Sequence, residues 1–96
     1  MRKGYTISLH RSLADLEKSN AYRWLAKPAL ERCCGKYLAS IRRVVARENG
    51  VVERTIPIEF ENLEAAIAAF DSADYQVALM VLDSIANRDI RLFEGA

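Results

Sequence analysis

One histidine and two cysteines are the whole supply of imidazole and thiol in the sequence, too few for a zinc site. Cys33 and Cys34 are adjacent, and a disulfide between neighbours is strained. Together with His10 they cannot supply the four ligands of a zinc site. Both read as small apolar side chains in a reducing compartment. No cofactor is expected. Long hydrophobic runs are also lacking. The basic residues of "MRKGYTIS" lead into no apolar core of a secretory signal, and no stretch approaches the length that crosses a bilayer. A cytoplasmic protein with no membrane partner is the expectation. An excess of one charge is missing as well. The net charge of +1 gives no long-range field to draw nucleic acid. Arg42, Arg43 and Arg47 cluster without interleaved aromatic residues, a solvated hairpin rather than a base-stacking surface. No glycine-rich phosphate loop or nucleophile elbow occurs, which weighs against a nucleotide enzyme or a hydrolase.

What is present fits one small domain over residues 1–96. The 51% apolar and 28% charged content places it among soluble globular chains rather than disordered ones. A chain of this length buries about two-thirds of its unfolded surface, so covering another face by association adds to its stability. "GYTISLH" alternates, with Tyr5, Ile7 and Leu9 on one side and Thr6, Ser8 and His10 on the other, as in a half-buried strand. Ser12 and Asp15 resemble a capping box opening a helical region. In that region Tyr22, Leu25, Ala26, Ala29 and Cys33 recur at helical spacing. Pro28 is expected to kink or split this helix, and Gly35 to end it in a positive-φ conformation. "KYLASIRR" and "VERTIPIEF" read as strands joined by a turn at Glu48-Asn49-Gly50. Pro57 must then lie at an edge or a bulge. Asn62 and Ser72 cap two successive helical pieces. The first buries Leu63, Ala66, Ile67 and Phe70; the second buries Tyr75, Ala78, Leu79, Leu82 and Ile85. "DIRLF" is the last strand.

The order β-α-β-β-α-β, with its second helix in two pieces, predicts an α+β fold. It is the ferredoxin-like arrangement of a four-stranded antiparallel sheet with helices on one face. The break at Asp71-Ser72 lets the crossover bend around the sheet, and no chemistry is needed to explain it. If Ile56, Ile58 and Phe60 face the helices, Glu53, Thr55, Pro57 and Glu59 face away, as do Arg91 and Phe93. In the first strand, Thr6, Ser8 and His10 are assigned to that helix-free face. A second subunit covering this mixed face would enclose a polar-lined space suited to a small ligand.

Several motifs recur in order along the chain: "KGY" at residues 3 to 5, "AKPALER" from Ala26, Gly35 with Tyr37-Leu38-Ala39, "IEF", "EAA", Tyr75-Gln76, and "FEG" at residues 93 to 95. The set resembles the bacterial domain of unknown function family 1330. The resemblance implies a ferredoxin-like subunit that pairs as a dimeric α+β barrel, with helix-free faces inward, and it implies no established reaction. Polar positions depart from the family pattern. Ser40-Ile41-Arg42 stands where Arg-Gly-Gly is common, Glu61-Asn62 replaces Pro-Ser, and Ala73-Asp74 replaces Pro-Glu. Phe70 replaces a Tyr, and Leu82 stands where an Arg is usual. Arg42 offers a basic side chain two residues from the first missing one. Arg54 matches a basic family position, and by alternation it points to the helix side or beyond the sheet.

Candidate ligand-binding residues are His10, Arg42, Glu59 and Arg91. His10 is the one side chain able to exchange a proton near neutral pH; a solvated strand-end histidine is the plainer reading. Glu59 lies between Ile58 and Phe60, where partial desolvation would raise its pKa; a structural ion pair with Arg91 or Arg42 is the plainer reading. Arginines can grip a carboxylate or phosphate with two hydrogen bonds, yet as edge charges they need no function. Tyr75 falls on a buried stripe and Tyr22 in the core, while Trp24 either guards a cleft mouth or packs. The reading is a homodimeric barrel holding a small organic molecule between sheet and helices, with no nucleic acid partner. One alternative is a cofactor-free oxygenase or isomerase using His10; the other is a non-catalytic assembly module.

Overall fold

The computed structural model describes residues 2–13, 16–39, 43–82 and 86–96. The elements run β1 (Gly4–Leu13), α1 (Leu16–Arg32), β2 (Lys36–Tyr37), β3 (Arg54–Phe60), α2 (Leu63–Phe70), α3 (Ala73–Leu82) and β4 (Ala86–Glu94). The strands form one sheet in the order β2-β3-β1-β4, with every pair antiparallel. This is the ferredoxin-like α+β arrangement expected from the element order. No helix among the described residues is long and apolar enough to cross a membrane.

Caps work largely as the sequence predicts. The Asn62 side chain accepts a hydrogen bond from the Ala65 amide at 2.7 Å and starts α2. Ser72 accepts one from the Tyr75 amide at 3.3 Å while its hydroxyl donates to the Ala69 carbonyl at 2.7 Å, so one residue closes α2 and opens α3. The end of α1 differs in detail. Cys34 adopts the positive φ of 66°, and no glycine does. The Gly35 amide then reaches back to the Leu30 carbonyl and the Cys34 amide to that of Glu31, a Schellman closure. Gly35 is glycine for space: a Cβ there would lie 2.9 Å from the Leu30 carbonyl oxygen and from the Phe60 ring. Pro28 lies inside α1 without splitting it.

Two strands depart from expectation. β1 continues past His10 through a register shift, and Ser12 pairs with Asn87 in the ladder instead of capping a helix. Asp15, the second half of the expected capping box, and Ile85 lie outside the described residues. β2 comprises Lys36 and Tyr37 rather than the whole "KYLASIRR" run. Pro57 supplies the reason. The Leu38 amide donates to the Pro57 carbonyl at 3.1 Å, but proline has no N–H to return the bond. The β2–β3 ladder stops there, so Pro57, on an inner strand and paired with Ile7 of β1, lies just beyond the last β2 pair. The turn before β3 is retained, with the Gly50 amide bonded to the Arg47 carbonyl, but no ladder flanks it.

The faces of the sheet follow from register. Thr6 pairs with Ile58 and Leu92, Ser8 with Ile56 and Ile90, and His10 with Arg54 and Arg88. Directly opposed residues share a face, and Ile58 belongs to the core under the helices. Thr6, Ser8 and His10 are accordingly buried on the helix side, which reverses the assignment made from alternation. Tyr5, Ile7 and Leu9 occupy the helix-free face, with Tyr5 stacked on Phe93 at 5.7 Å. Close approach of the helix layer explains the reversal. A Cβ on Gly4 would fall 2.3 Å from the Asn62 carbonyl oxygen, so only small side chains fit where α2 meets β1.

Beneath the helices, Phe60, Ile58, Ala66, Ala69, Tyr75 and Ala78 form the centre of the core. Full burial of a side chain such as Phe60 contributes about 1.5–3 kcal/mol. Leu63 and Phe70 are half-buried and Ile67 is exposed, so the core contact of α2 runs through its alanines. α2 lies directly on the sheet, whereas α1 packs along α3.

Candidate functional site

Because α1 leans on α3 rather than pressing on the strands, a space of about 610 Å³ opens between it and the sheet. Its floor is Ser8 and His10 of β1 with Ile56 and Ile58 of β3. Tyr22, Ala26 and Leu30 of α1 form the roof, and Phe70 and Tyr37 close the sides. The volume falls within the range of small-molecule sites, as does the mixture of apolar walls with a few polar groups.

The polar groups are concentrated at one end. His10 is 6% exposed, and its Nδ1 is buried without a hydrogen-bond partner. Burial lowers its pKa to about 4, helped by the positive charges of Arg88, Arg54 and Arg23. The imidazole is therefore neutral at neutral pH. Arg54 and Arg88 flank it across the two neighbouring strands. The Nε of Arg54 is likewise buried without a partner, and burial followed by the charge of Arg23 lowers its pKa.

Arg88 is more fully engaged. Its Nη1 donates to the hydroxyls of Tyr22 at 2.9 Å and Tyr75 at 3.3 Å, and those hydroxyls bond each other at 2.6 Å. Its guanidinium also lies over the Tyr22 ring at 5.0 Å. Burial, and then Tyr75, pushes the Tyr22 hydroxyl far above its usual pKa. Desolvation disfavours the charge on Arg88, but the two tyrosines outweigh it and the net shift is upward. These groups tie α1, α3 and β4 together at the back of the cavity. On the roof, Arg23 and Lys27 supply two more positive charges, and Lys27 sits 5.7 Å from the centre of the Tyr37 ring. No acidic side chain lines the cavity among the described residues.

The sequence candidates separate. His10 lies in the cavity floor. Glu59 and Arg91 lie on the opposite, helix-free face, where Arg91 pairs with Asp89 at 3.6 Å rather than with Glu59. Arg42 lies outside the described residues. Trp24 is 83% exposed and stands at the rim, matching the cleft-mouth reading. Tyr75 is core and also part of the hydroxyl pair, a role that buried-stripe spacing does not reveal. Lys27 and the engaged form of Arg88 did not emerge from the sequence. For Lys27 a signal existed: Arg23 and Lys27 are four residues apart beside Tyr22 and Ala26, the helical spacing of one face. Arg88 requires the β1–β4 register.

Comparison with known proteins gives a fold and a family. A protein of unknown function from Rhodopseudomonas palustris superposes with a TM-score of 0.67 at 18% identity, covering 97% of this chain and 80% of that one. A dimeric ferredoxin-like protein of unknown function from Thermobifida fusca has a TM-score of 0.56 at 14% identity, with 96% and 90% coverage. A conserved protein of unknown function from Bacteroides thetaiotaomicron, described as a possible oxidoreductase, has a TM-score of 0.54 at 12% identity, with 97% and 96% coverage. No curated protein matches significantly. The profile of the family described as domain of unknown function (DUF1330) matches residues 3–96, and the chain belongs to that family.

Proposed function

We propose that this member of the family is a homodimeric small-molecule-binding protein, with the ligand held in each chain between α1 and the sheet. The observation that carries the reading is the cavity of about 610 Å³ with a buried, unpartnered histidine nitrogen in its floor. A buried polar atom without a partner costs free energy, and an entering ligand that bonds it recovers that cost. Pairing is supported by the other face of the sheet, where Tyr5, Ile7, Leu9, Pro57 and Phe93 form a partly exposed apolar surface. Such a surface favours association, and the Thermobifida fusca neighbour is described as dimeric.

The oxygenase or isomerase reading receives less support. A base whose conjugate acid has a pKa of about 4 gives little driving force for proton abstraction at neutral pH. Nor does the binding reading need a lumen between two sheets, since His10 faces the helices. Native mass spectrometry of gently purified protein, compared with the denatured mass, tests both parts. A dimer carrying added mass supports the proposal. A compact monomer at micromolar concentration removes the dimer, and a bare dimer that takes up no small molecule from a broad library removes the ligand.

A further inference from the structure

Resting on the cavity reading, we infer that the ligand class is an organic carboxylate with an apolar body, its anionic end seated between His10, Arg54 and Arg23. Two cationic side chains of α1, Arg23 and Lys27, line the cavity, and Arg54 of β3 and Arg88 of β4 flank the His10 of its floor. Like charges gathered around the buried His10 repel, and a counter-charge that joins them relieves the repulsion. No lining carboxylate supplies that counter-charge among the described residues. Arg32 does have one, Asp74 at 2.8 Å, but on the outer surface and away from the cavity.

The unmet groups match a carboxylate in kind. Arg88 is occupied by two tyrosine hydroxyls, whereas the Arg54 Nε and the His10 Nδ1 are buried and unpartnered. A guanidinium edge meets a carboxylate with two parallel hydrogen bonds, and a neutral imidazole carrying its proton on Nδ1 donates a further one. Much of the remaining lining is apolar, with Ile56, Ile58, Ala26, Leu30 and Phe70 and the Trp24 ring at the mouth, beside the polar Ser8, Asn20, Tyr22 and Tyr37. A free inorganic anion would leave those walls wet, while a neutral apolar compound would leave the charges uncompensated. The combination selects a molecule that has both parts.

The test compares near-isosteric pairs in which one carboxylate oxygen is replaced by an uncharged NH2: 3-phenylpropionate against 3-phenylpropionamide, and hexanoate against hexanamide. The single tryptophan, Trp24, stands at the cavity rim and reports binding by its fluorescence, with calorimetry as a second readout. The expected result is affinity for each carboxylate at least about tenfold above its amide, weakening as salt is raised. Arg54→Gln should bring each pair to near equality. Arg23→Gln, at an exposed helix position where folding is not at risk, should reduce the preference in the same direction. Equal or tighter binding of the amides overturns the carboxylate assignment and leaves the cavity reading standing. A carboxylate preference that survives both substitutions also overturns it. Absence of binding by all four compounds up to millimolar concentration overturns the inference and the cavity reading together.

Discussion

Acidification should destabilise this protein through His10, and replacing that one residue should remove the effect. The sequence contains a single histidine, so its imidazole resonances need no assignment and the linkage can be isolated. In the folded chain the pKa is lowered from 6.5 to about 4 by burial and by Arg88, Arg54 and Arg23, which face the ring from β4, β3 and α1. The nearby Tyr22 hydroxyl stays neutral throughout this range. Between those two values the unfolded chain binds a proton that the folded chain refuses. Stability therefore falls as pH drops below about 6.5, and the loss from this group ends near pH 4, where the folded form also protonates. At about 1.4 kcal/mol per pH unit the full interval amounts to about 3 kcal/mol. Water entering the open cavity screens part of this, leaving about 1–2 kcal/mol. Urea unfolding at fixed protein concentration, run at neutral pH and near pH 4, gives the wild-type loss. His10→Gln should lose less by that amount over the same interval. An NMR titration placing the imidazole pKa at or above 6.5, or identical losses in wild type and His10→Gln, would refute the reasoning.

Other substitutions probe the architecture. Ile7→Glu puts a charge at the centre of the helix-free face beside Pro57 and Arg91; sedimentation should find monomer, and a persisting dimer would place the interface elsewhere. Gly4→Ala forces a methyl to within 2.3 Å of the Asn62 backbone, an overpacking that should cost about 1–3 kcal/mol; an unchanged thermal midpoint would show that α2 does not rest on β1 there. Pro57→Ala restores a backbone donor opposite Leu38, so the new amide should exchange slowly with solvent as β2 lengthens, and fast exchange would mean that something other than proline ends the strand. Tyr75→Phe removes one hydroxyl from the buried pair and one acceptor from Arg88. It should cost about 1–3 kcal/mol by denaturant unfolding, and a neutral effect would show that water replaces the lost group.

Element order was readable from the chain because each signal is local. Alternation marks β1, a cap residue marks each helical piece at Asn62 and Ser72, and Asn49-Gly50 marks a turn. Signals that depend on a partner strand were not readable. Ser12 has the spacing of a cap, yet pairing with Asn87 draws it into the sheet. "KYLASIRR" has strand composition, yet its ladder ends where Pro57 fails to return a hydrogen bond. The site shows the same division. His10 could be singled out by type, but the arginines that set its charge state are joined to it by cross-strand register, which no spacing within one segment encodes. Glu59 and Arg91 share the helix-free face where alternation along β3 and β4 placed them, and it is His10 that falls on the other side.

The reversed face of β1 follows from how a sheet lying under a close helix layer must distribute its side chains. Alternation tells which residues lie together, and the usual next step assigns the apolar set to the helices. That step fails when the helix layer comes too close for large side chains. Along the buried face of β1 the residues run Gly4, Thr6, Ser8 and His10. Gly4 sits under the Asn62 backbone with no room for a Cβ, Thr6 is fully covered, and Ser8 and His10 border open space. The tight contact thus lies at the Gly4 end of the strand, and the two later residues, Ser8 and His10, border the cavity. Tyr5, Ile7 and Leu9 are displaced to the outer face, where they are worth their apolar area only if something covers them. One steric fact, the contact of α2 with β1 at Gly4, therefore bears on both halves of the proposed function: it turns Tyr5, Ile7 and Leu9 to the mixed outer face that a second subunit would cover, and it puts His10 on the side of the cavity.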